Sequence, residues 1–448
     1  MPMPERRLSR NLGVAAIIVV MLAFGAITEM RSAFLMHRHT DAGVYFRAAW
    51  AAQAGESIYE ITDDNGWHYH YAPLLAILMV PFADPPPGAA RGGFVPYPIA
   101  VAFWYALGAG ALVWAVHLMA RAVEGSTAVP ALRSAPFTRP WWVLRLVPCV
   151  TCLAAIGETL GRGQPGTLVL LCVAGMVVAL PRGRGGRAGL WLSVAICLKI
   201  FPAYLLLYPA MRRDWRCLGG CAFGLLIGLL VVPAATLGPA ETIAAYEDFY
   251  RLTLRGAVAN APDPSTVEEF YHERTGDVMS FRSVLFKTVH LDPDARPLTL
   301  AAWYDWAQKL LGVAVTILMA AALMRRAPRS HQARRAGTPD SVPTIMLALG
   351  LMLLAVIPLV PVAQPHYYML ALVLVMGLIA DERERCGHPR LSRRLGAVLA
   401  LYAVANLLPY LPGLETLMDH GLAMYAGLAL WLFGLVALWR RRDARHAA

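Results

Sequence analysis

The chain has 448 residues and a mean hydropathy of +0.50. Hydrophobic side chains make up 58% of it and charged ones only 15%, where soluble domains carry about 25% charged, so the composition excludes a soluble globular protein and points to a polytopic membrane protein. The formal net charge of +11 comes from short arginine clusters between apolar runs, which marks cytoplasmic loops and argues against a nucleic-acid surface.

Apolar runs near the spanning length of about 20 residues occupy 11–28, 98–120, 141–160, 164–180, 217–236, 306–324, 342–361, 364–380, 394–411 and 421–438. Barrel-type alternation is absent, so the spans are helical. The first run follows a basic start, and Glu29-Met30-Arg31 is a poor cleavage context, so it reads as an uncleaved anchor. Residues 41–54 carry Val44, Tyr45, Ala48 and Ala51 at helical spacing. They predict a short amphipathic helix on the membrane surface, opened by Asp41. Residues 70–83 are apolar but too short to cross, and predict a re-entrant or interfacial helix ended by Pro85-Pro86-Pro87. Lys199 and Pro202 interrupt 188–211, which predicts a broken helix there. Two short crossings at that point put Arg6, Arg182, Arg212, Arg325 and Arg440, each with its arginine neighbours, on one side. The outcome is about 12 spans with both termini inside. Loops 31–72 and 237–305 then lie outside, and the whole of 1–448 reads as one integral membrane unit.

Several motifs are set aside. None of the seven cysteines falls in an outer loop, so no disulfide framework is expected. Cys149-x-x-Cys152, inside a span, reads as a pair of small packing residues. The GRGQPG stretch from Gly161 to Gly166 matches a dinucleotide fingerprint in letters only, because no strand precedes it. It reads as a tight outer turn presenting Arg162 and Gln164. No Walker loop or HExxH motif is present, which argues against ATP use and zinc proteolysis. No second acid pairs with Asp41, so the chemistry does not demand a divalent metal.

Polar groups at membrane depth are costly and call for a role. Asp41, His68, His70, Tyr71, Glu158, Gln164, Lys199, His366 and Tyr367 gather near the outer surface by this topology. Asp41 suits a general base, since a sugar hydroxyl needs its proton accepted in the transition state; its alternative is an N-cap. Asp63-Asp64, followed by Asn65-Gly66, reads as a turn. Lys199 sits at a helix break, where a cation can meet a lipid phosphate; its alternative is snorkelling to an interface. His366 can donate to a phosphate oxygen. Tyr367 and Tyr368 read as an aromatic belt, and His117 and Glu158 as satisfied packing residues. Nucleotide sugars would call for a cytoplasmic soluble domain. Sugar chemistry on the outer face therefore draws on a donor already in the membrane.

The order of motifs resembles glycosyltransferase family 87, of the GT-C class. It begins with Asp41, Tyr45 and Ala48 opening a helix after span one, followed by His70, Tyr71, Pro73 and Leu74. Gly163-Gln164 stands at a turn, and Lys199 and Pro202 precede an arginine-rich loop. Gln364-Pro365-His366-Tyr367 opens a late span, in place of the usual Ser-Pro then His or Trp. The resemblance implies an all-α GT-C fold with Asp41 as catalytic base and no metal or other cofactor. It also implies a polyprenyl-phosphate hexose donor, mannose among the family's sugars, and inverting transfer to an envelope glycolipid or glycan. Lys199 and His366 become donor-phosphate candidates, with Gln164, Tyr45, His70 and Tyr71 beside them as substrate-binding candidates. The expected location is the bacterial inner membrane with the site on its extracytoplasmic side. A lipid or solute transporter is the alternative reading, and a scaffold subunit with a decayed site the third.

Overall fold

In the computed structural model, residues 1–3, 36–39, 90–93, 126–132, 256–268, 270–277, 298–299, 326–339, 361, 388–390 and 442–448 lie outside the description. Part of the second loop expected outside, including Phe270 and Tyr271, falls among them. The described residues are helical, with one isolated bridge between Thr62 and His68. In chain order the helices are α1 (Pro4–Glu29, continued by a wide turn Met30–Phe34), α2 (Ala42–Ala54), α3 (Pro73–Leu78), α4 (Tyr97–Gly125), α5 (Arg139–Thr151) and α6 (Leu153–Gly161). Next come α7 (Gly166–Ala179), α8 (Gly185–Leu198), α9 (Leu207–Arg212), α10 (Trp215–Leu225), α11 (Val232–Leu237) and α12 (Pro239–Phe249). The last are α13 (Phe281–Val289), α14 (Ala302–Met324), α15 (Val342–Val356), α16 (Ala371–Cys386), α17 (Arg393–Leu407), α18 (Thr416–Asp419) and α19 (Leu422–Arg440).

Among the described residues six helical stretches are long and apolar enough to cross a membrane: Gly13–Phe34, Tyr97–Gly125, Trp215–Leu237, Ala302–Met324, Val342–Leu359 and Leu422–Arg440. The α5–α6 pair, bent by 67°, is a seventh if counted as one span. The protein is thus an all-α, multi-pass membrane protein, but length and composition support fewer crossings than the 12 expected. Proline accounts for part of the shortfall, because a ring inside a helix removes a donor and clashes with the preceding turn. Pro165, Pro202, Pro365 and Pro409 each lie where a helix stops or tightens to a 3-10 turn. The predicted break at Lys199 is present: its backbone is extended (φ −150°, ψ 137°), and a 3-10 segment Phe201–Leu206 follows.

α15 and α16 pack along each other at the centre, and every side chain of α15 is buried. α1 is the opposite case, with Ile18, Val19, Leu22 and Ile27 all exposed, as suits a helix whose solvent is lipid. α8 and α10 approach closely: a Cβ on Gly189 would stand 2.0 Å from the Cys217 carbonyl oxygen. Only a hydrogen fits, as in the small-residue contacts typical of membrane helices.

The predicted helix at 41–54 forms, but not on the surface. Ala42 to Ala49 are all buried, and α2 packs against α3 and the turn after it. Its one charged side chain, Arg47, donates to the carbonyls of Thr62 (3.1 Å) and Asp84 (3.0 Å) and to the Asp64 carboxylate (2.7 Å). The first loop is thereby tied into a compact cap over the bundle.

Candidate active site

Asp41 precedes α2, where a carboxylate commonly caps the helix. It makes no such cap. Its amide donates to the Arg162 carbonyl (2.9 Å), which also accepts the Thr40 hydroxyl (3.0 Å). These bonds dock the start of α2 on the turn between α6 and α7. The turn is shaped by Gly163, at φ +68°, where a Cβ would stand 2.7 Å from Thr40 Oγ1 and 3.0 Å from Ala42 Cβ. A left-handed backbone and this crowding both call for glycine. Trp104 Nε1 donates to the Gly163 carbonyl (2.6 Å) and closes the turn from α4.

This docking brings Gln164 to Asp41. Gln164 Nε2 donates to Asp41 Oδ2. Gln164 Oε1 accepts from Lys199 Nζ (2.7 Å) and from the Tyr71 hydroxyl (3.0 Å), which in turn accepts from the Tyr45 hydroxyl (3.1 Å). Lys199 Nζ also lies 3.2 Å from His366 Nε2 and 4.2 Å above the Tyr367 ring. Gln164, Lys199 and His366 are 7%, 5% and 3% exposed, whereas Asp41 stays partly exposed. Snorkelling of Lys199 to an interface is therefore not observed.

Six of the seven predicted site residues thus meet in one hydrogen-bonded cluster, drawn from the first loop, the α6–α7 turn, the α8 break and the late 3-10 turn Pro365–Leu370. His70 does not join it. Along the extended stretch from Trp67 to Tyr71 side chains alternate, so Tyr71 enters the cluster and His70 faces away. His70 Nε2 meets Glu269 Oε2 (2.8 Å), its Nδ1 meets Thr253 Oγ1 (3.2 Å), and His68 meets the other oxygen of Glu269. Asp63 forms the expected turn, accepting from the amides of Asn65 (2.8 Å) and Trp67 (3.0 Å).

Tyr367, expected in an aromatic belt, stacks on His366 with ring centroids 4.5 Å apart and offers its face to Lys199. Glu158 is satisfied as expected, pairing with Arg162 (3.3 Å). Glu269 carried no signal in the sequence, since one acid among several in a polar loop has no local pattern.

The protonation states follow from position. Burial raises the Asp41 carboxyl above the ordinary aspartate range, opposed first by Arg162 and then by the Gln164 hydrogen bond and Lys199. Burial also pushes the Glu269 carboxyl up, but hydrogen bonds from His68 and His70 outweigh it and hold it at about 2. His70 is lowered by burial, with Glu269 opposing. In its charged form Lys199 can only donate; His366 Nε2 then accepts from it and the ring proton sits on Nδ1. That Nδ1 is buried and has no partner among the described residues. Together these groups can accept a proton at Asp41 and offer the N–H donors of Lys199 to an anion.

The sequence pattern of glycosyltransferase family 87 matches residues 69–338. The chain belongs to that family. Among curated proteins it is similar to the polyprenol-phosphate-mannose-dependent alpha-(1-2)-phosphatidylinositol mannoside mannosyltransferase of Mycobacterium tuberculosis. The two are 28% identical over 356 residues, covering 76% of this chain and 69% of the relative. The protein is accordingly a membrane glycosyltransferase, which decides against the transporter alternative. The family match includes Gln164 and Lys199, whereas Asp41 and His366 lie outside it and rest on geometry.

Proposed function

We propose that the protein moves one hexose, mannose by analogy with its relative, from a polyprenyl phosphate to a glycolipid or glycan acceptor. Transfer takes place on the extracytoplasmic face of a bacterial inner membrane and inverts the anomeric carbon. Asp41 accepts the proton of the acceptor hydroxyl as its oxygen bonds to the anomeric carbon. The bond from that carbon to the phosphate oxygen breaks, and the phosphate leaves with the electron pair. Lys199, held from its other side by His366 Nε2, stabilises it through charge-assisted hydrogen bonds. Tyr45, Tyr71 and Tyr367 line the same cluster as substrate-facing groups; His70 takes no direct part.

The observation that carries this reading is the buried Lys199 and the Asp41 carboxylate held in one network through Gln164. Asp41 keeps part of its surface exposed, whereas Lys199 and His366 are buried.

The test is a transfer assay with purified protein, polyprenyl-phosphate mannose and a phosphatidylinositol mannoside acceptor. The product's anomeric configuration is read by NMR. The account expects a mannosylated lipid whose new linkage is opposite in configuration to the donor. Retained configuration contradicts direct displacement with Asp41 as base, and no transfer from any polyprenyl-phosphate sugar contradicts the donor class.

A further inference from the structure

We propose that Gln164 is a positioning residue: a neutral spacer that keeps the carboxylate of Asp41 and the ammonium of Lys199 from pairing and leaves one Asp41 oxygen free to act as base. The inference rests on the reading of Asp41 as base and assigns Gln164 a role other than contact with substrate.

The orientation of the Gln164 amide is forced. Lys199 Nζ and the Tyr71 hydroxyl both converge on Oε1, and Tyr71 is itself aligned by the Tyr45 hydroxyl. An ammonium has no lone pair to offer, so the amide cannot flip without setting N–H against N–H. Nε2 therefore faces Asp41 and donates to Oδ2. Oδ1 takes no hydrogen bond from a described residue. The backbone holds this register, through Asp41 N–H and Thr40 Oγ1 on the Arg162 carbonyl and Trp104 Nε1 on the Gly163 carbonyl.

The arrangement separates two groups that would otherwise neutralise each other. A direct Asp–Lys contact in a buried site forms a tight charge-assisted pair. It would occupy the base and blunt the cation. With the amide between them, Lys199 spends one N–H on Gln164 and faces His366 with another. The charge stays available to an incoming phosphate.

The charged and titratable groups that face Asp41 are Arg162 from the α6–α7 turn, Lys199 from the α8 break and Asp63 from the first loop. Tyr45, Tyr71 and Tyr367 feel its charge from α2, the first loop and the late 3-10 turn.

Gln164→Glu keeps the size and the acceptor for Lys199 and Tyr71 but removes the N–H donated to Asp41. A hydrogen bond to the charged form lowers a carboxyl pKa, and a neighbouring carboxylate raises it. At saturating donor, kcat is expected to fall about 100-fold, and the acid limb of kcat against pH to move up by about one unit. Wild-type kcat with an unmoved limb, or a change confined to the donor KM, overturns the proposal. Tyr71→Phe keeps the amide but removes one of the two bonds that orient it. It is expected to lower kcat about 3- to 10-fold and to shift the limb the same way. An unchanged kcat and limb in that variant overturns the proposal even if the Gln164→Glu protein fails to fold. Asp41→Asn run alongside separates the two readings. If it keeps wild-type turnover, the base assignment has failed and the spacer falls with it. If it is inactive while Gln164→Glu turns over normally, the spacer alone has failed.

Discussion

Two buried charge clusters, set about 30 Å apart along α4 by the rise from Trp104 to Glu124, solve the same problem in opposite ways. At the far end, Arg145 grips Glu124 with two bonds of 2.7 and 3.0 Å and lies 4.0 Å from the Trp141 ring centroid. Nearby, Asp381 is fully buried and takes Arg441 (2.7 Å) and Arg385 (2.8 Å). Acid meets base directly there, which is how a buried charge is ordinarily tolerated. At the site end, acid and base are both present but an amide stands between them. The first arrangement sets each buried acid directly against a base and holds helices together. The second keeps the carboxylate and the cation apart, as a site that receives a hydroxyl and an anion requires.

Mutation should separate the two clusters. Asp41→Asn is expected to cost about 10²- to 10⁴-fold in kcat, the worth of a general base, with the thermal midpoint in detergent unchanged. Turnover within tenfold of wild type would show that another group takes the proton. Lys199→Ala is expected to lower kcat/KM for the donor about 10²- to 10³-fold, since the leaving phosphate loses its nearest cation. An unaltered donor response would make Lys199 a packing residue. Glu124→Gln is the matched change at the far end. It should leave transfer rates near normal but destabilise the protein by about 3–5 kcal/mol through an unpaired buried Arg145, read as a lowered thermal midpoint. Loss of kcat with full stability would erase the distinction between the clusters. Tyr367→Leu removes one cation–π face from the buried Lys199, worth about 2 kcal/mol for a desolvated cation, and is expected to slow transfer roughly 10- to 30-fold.

Acidity offers a second line of attack. The native carboxyl of Asp41 is raised by burial, and the base works only when ionised. Activity is therefore present above that raised pKa and lost as pH falls through it. The acid limb of kcat against pH should lie above the ordinary aspartate value of about 3.9. A limb at or below that value would mean that the site is more open to water than its packing indicates.

Hydropathy made the helical membrane class plain, and the placement of Asp41, Gln164, Lys199 and His366 beside sequence breaks was enough to mark them. Hydropathy does not distinguish a side chain buried in protein from one bathed in lipid. For that reason α2, with its alanines and aromatics, read as a surface helix although it is buried on nearly every side. Hydropathy also does not give helix length: among the described residues six or seven of the expected 12 spans are helices of crossing length, and the runs broken at Pro202 and Pro365 form shorter ones. His70 was drawn into the site by sharing a motif with Tyr71; the two-residue alternation of an extended stretch sends neighbours to opposite faces, and only one could enter. Its partner Glu269 lies 199 residues away, a pairing that no local pattern encodes. Tyr367 looked like an interfacial aromatic because its value depends on Lys199, which the bundle brings to it.

The most direct test is an experimental structure with polyprenyl phosphate, the product left after sugar transfer, bound to the protein. The phosphate is expected within hydrogen-bond distance of Lys199 Nζ, with Gln164 still joined to Asp41. A phosphate bound away from Lys199, with Lys199 still closed on Gln164, would overturn the assignment of Lys199 and with it the proposed mechanism.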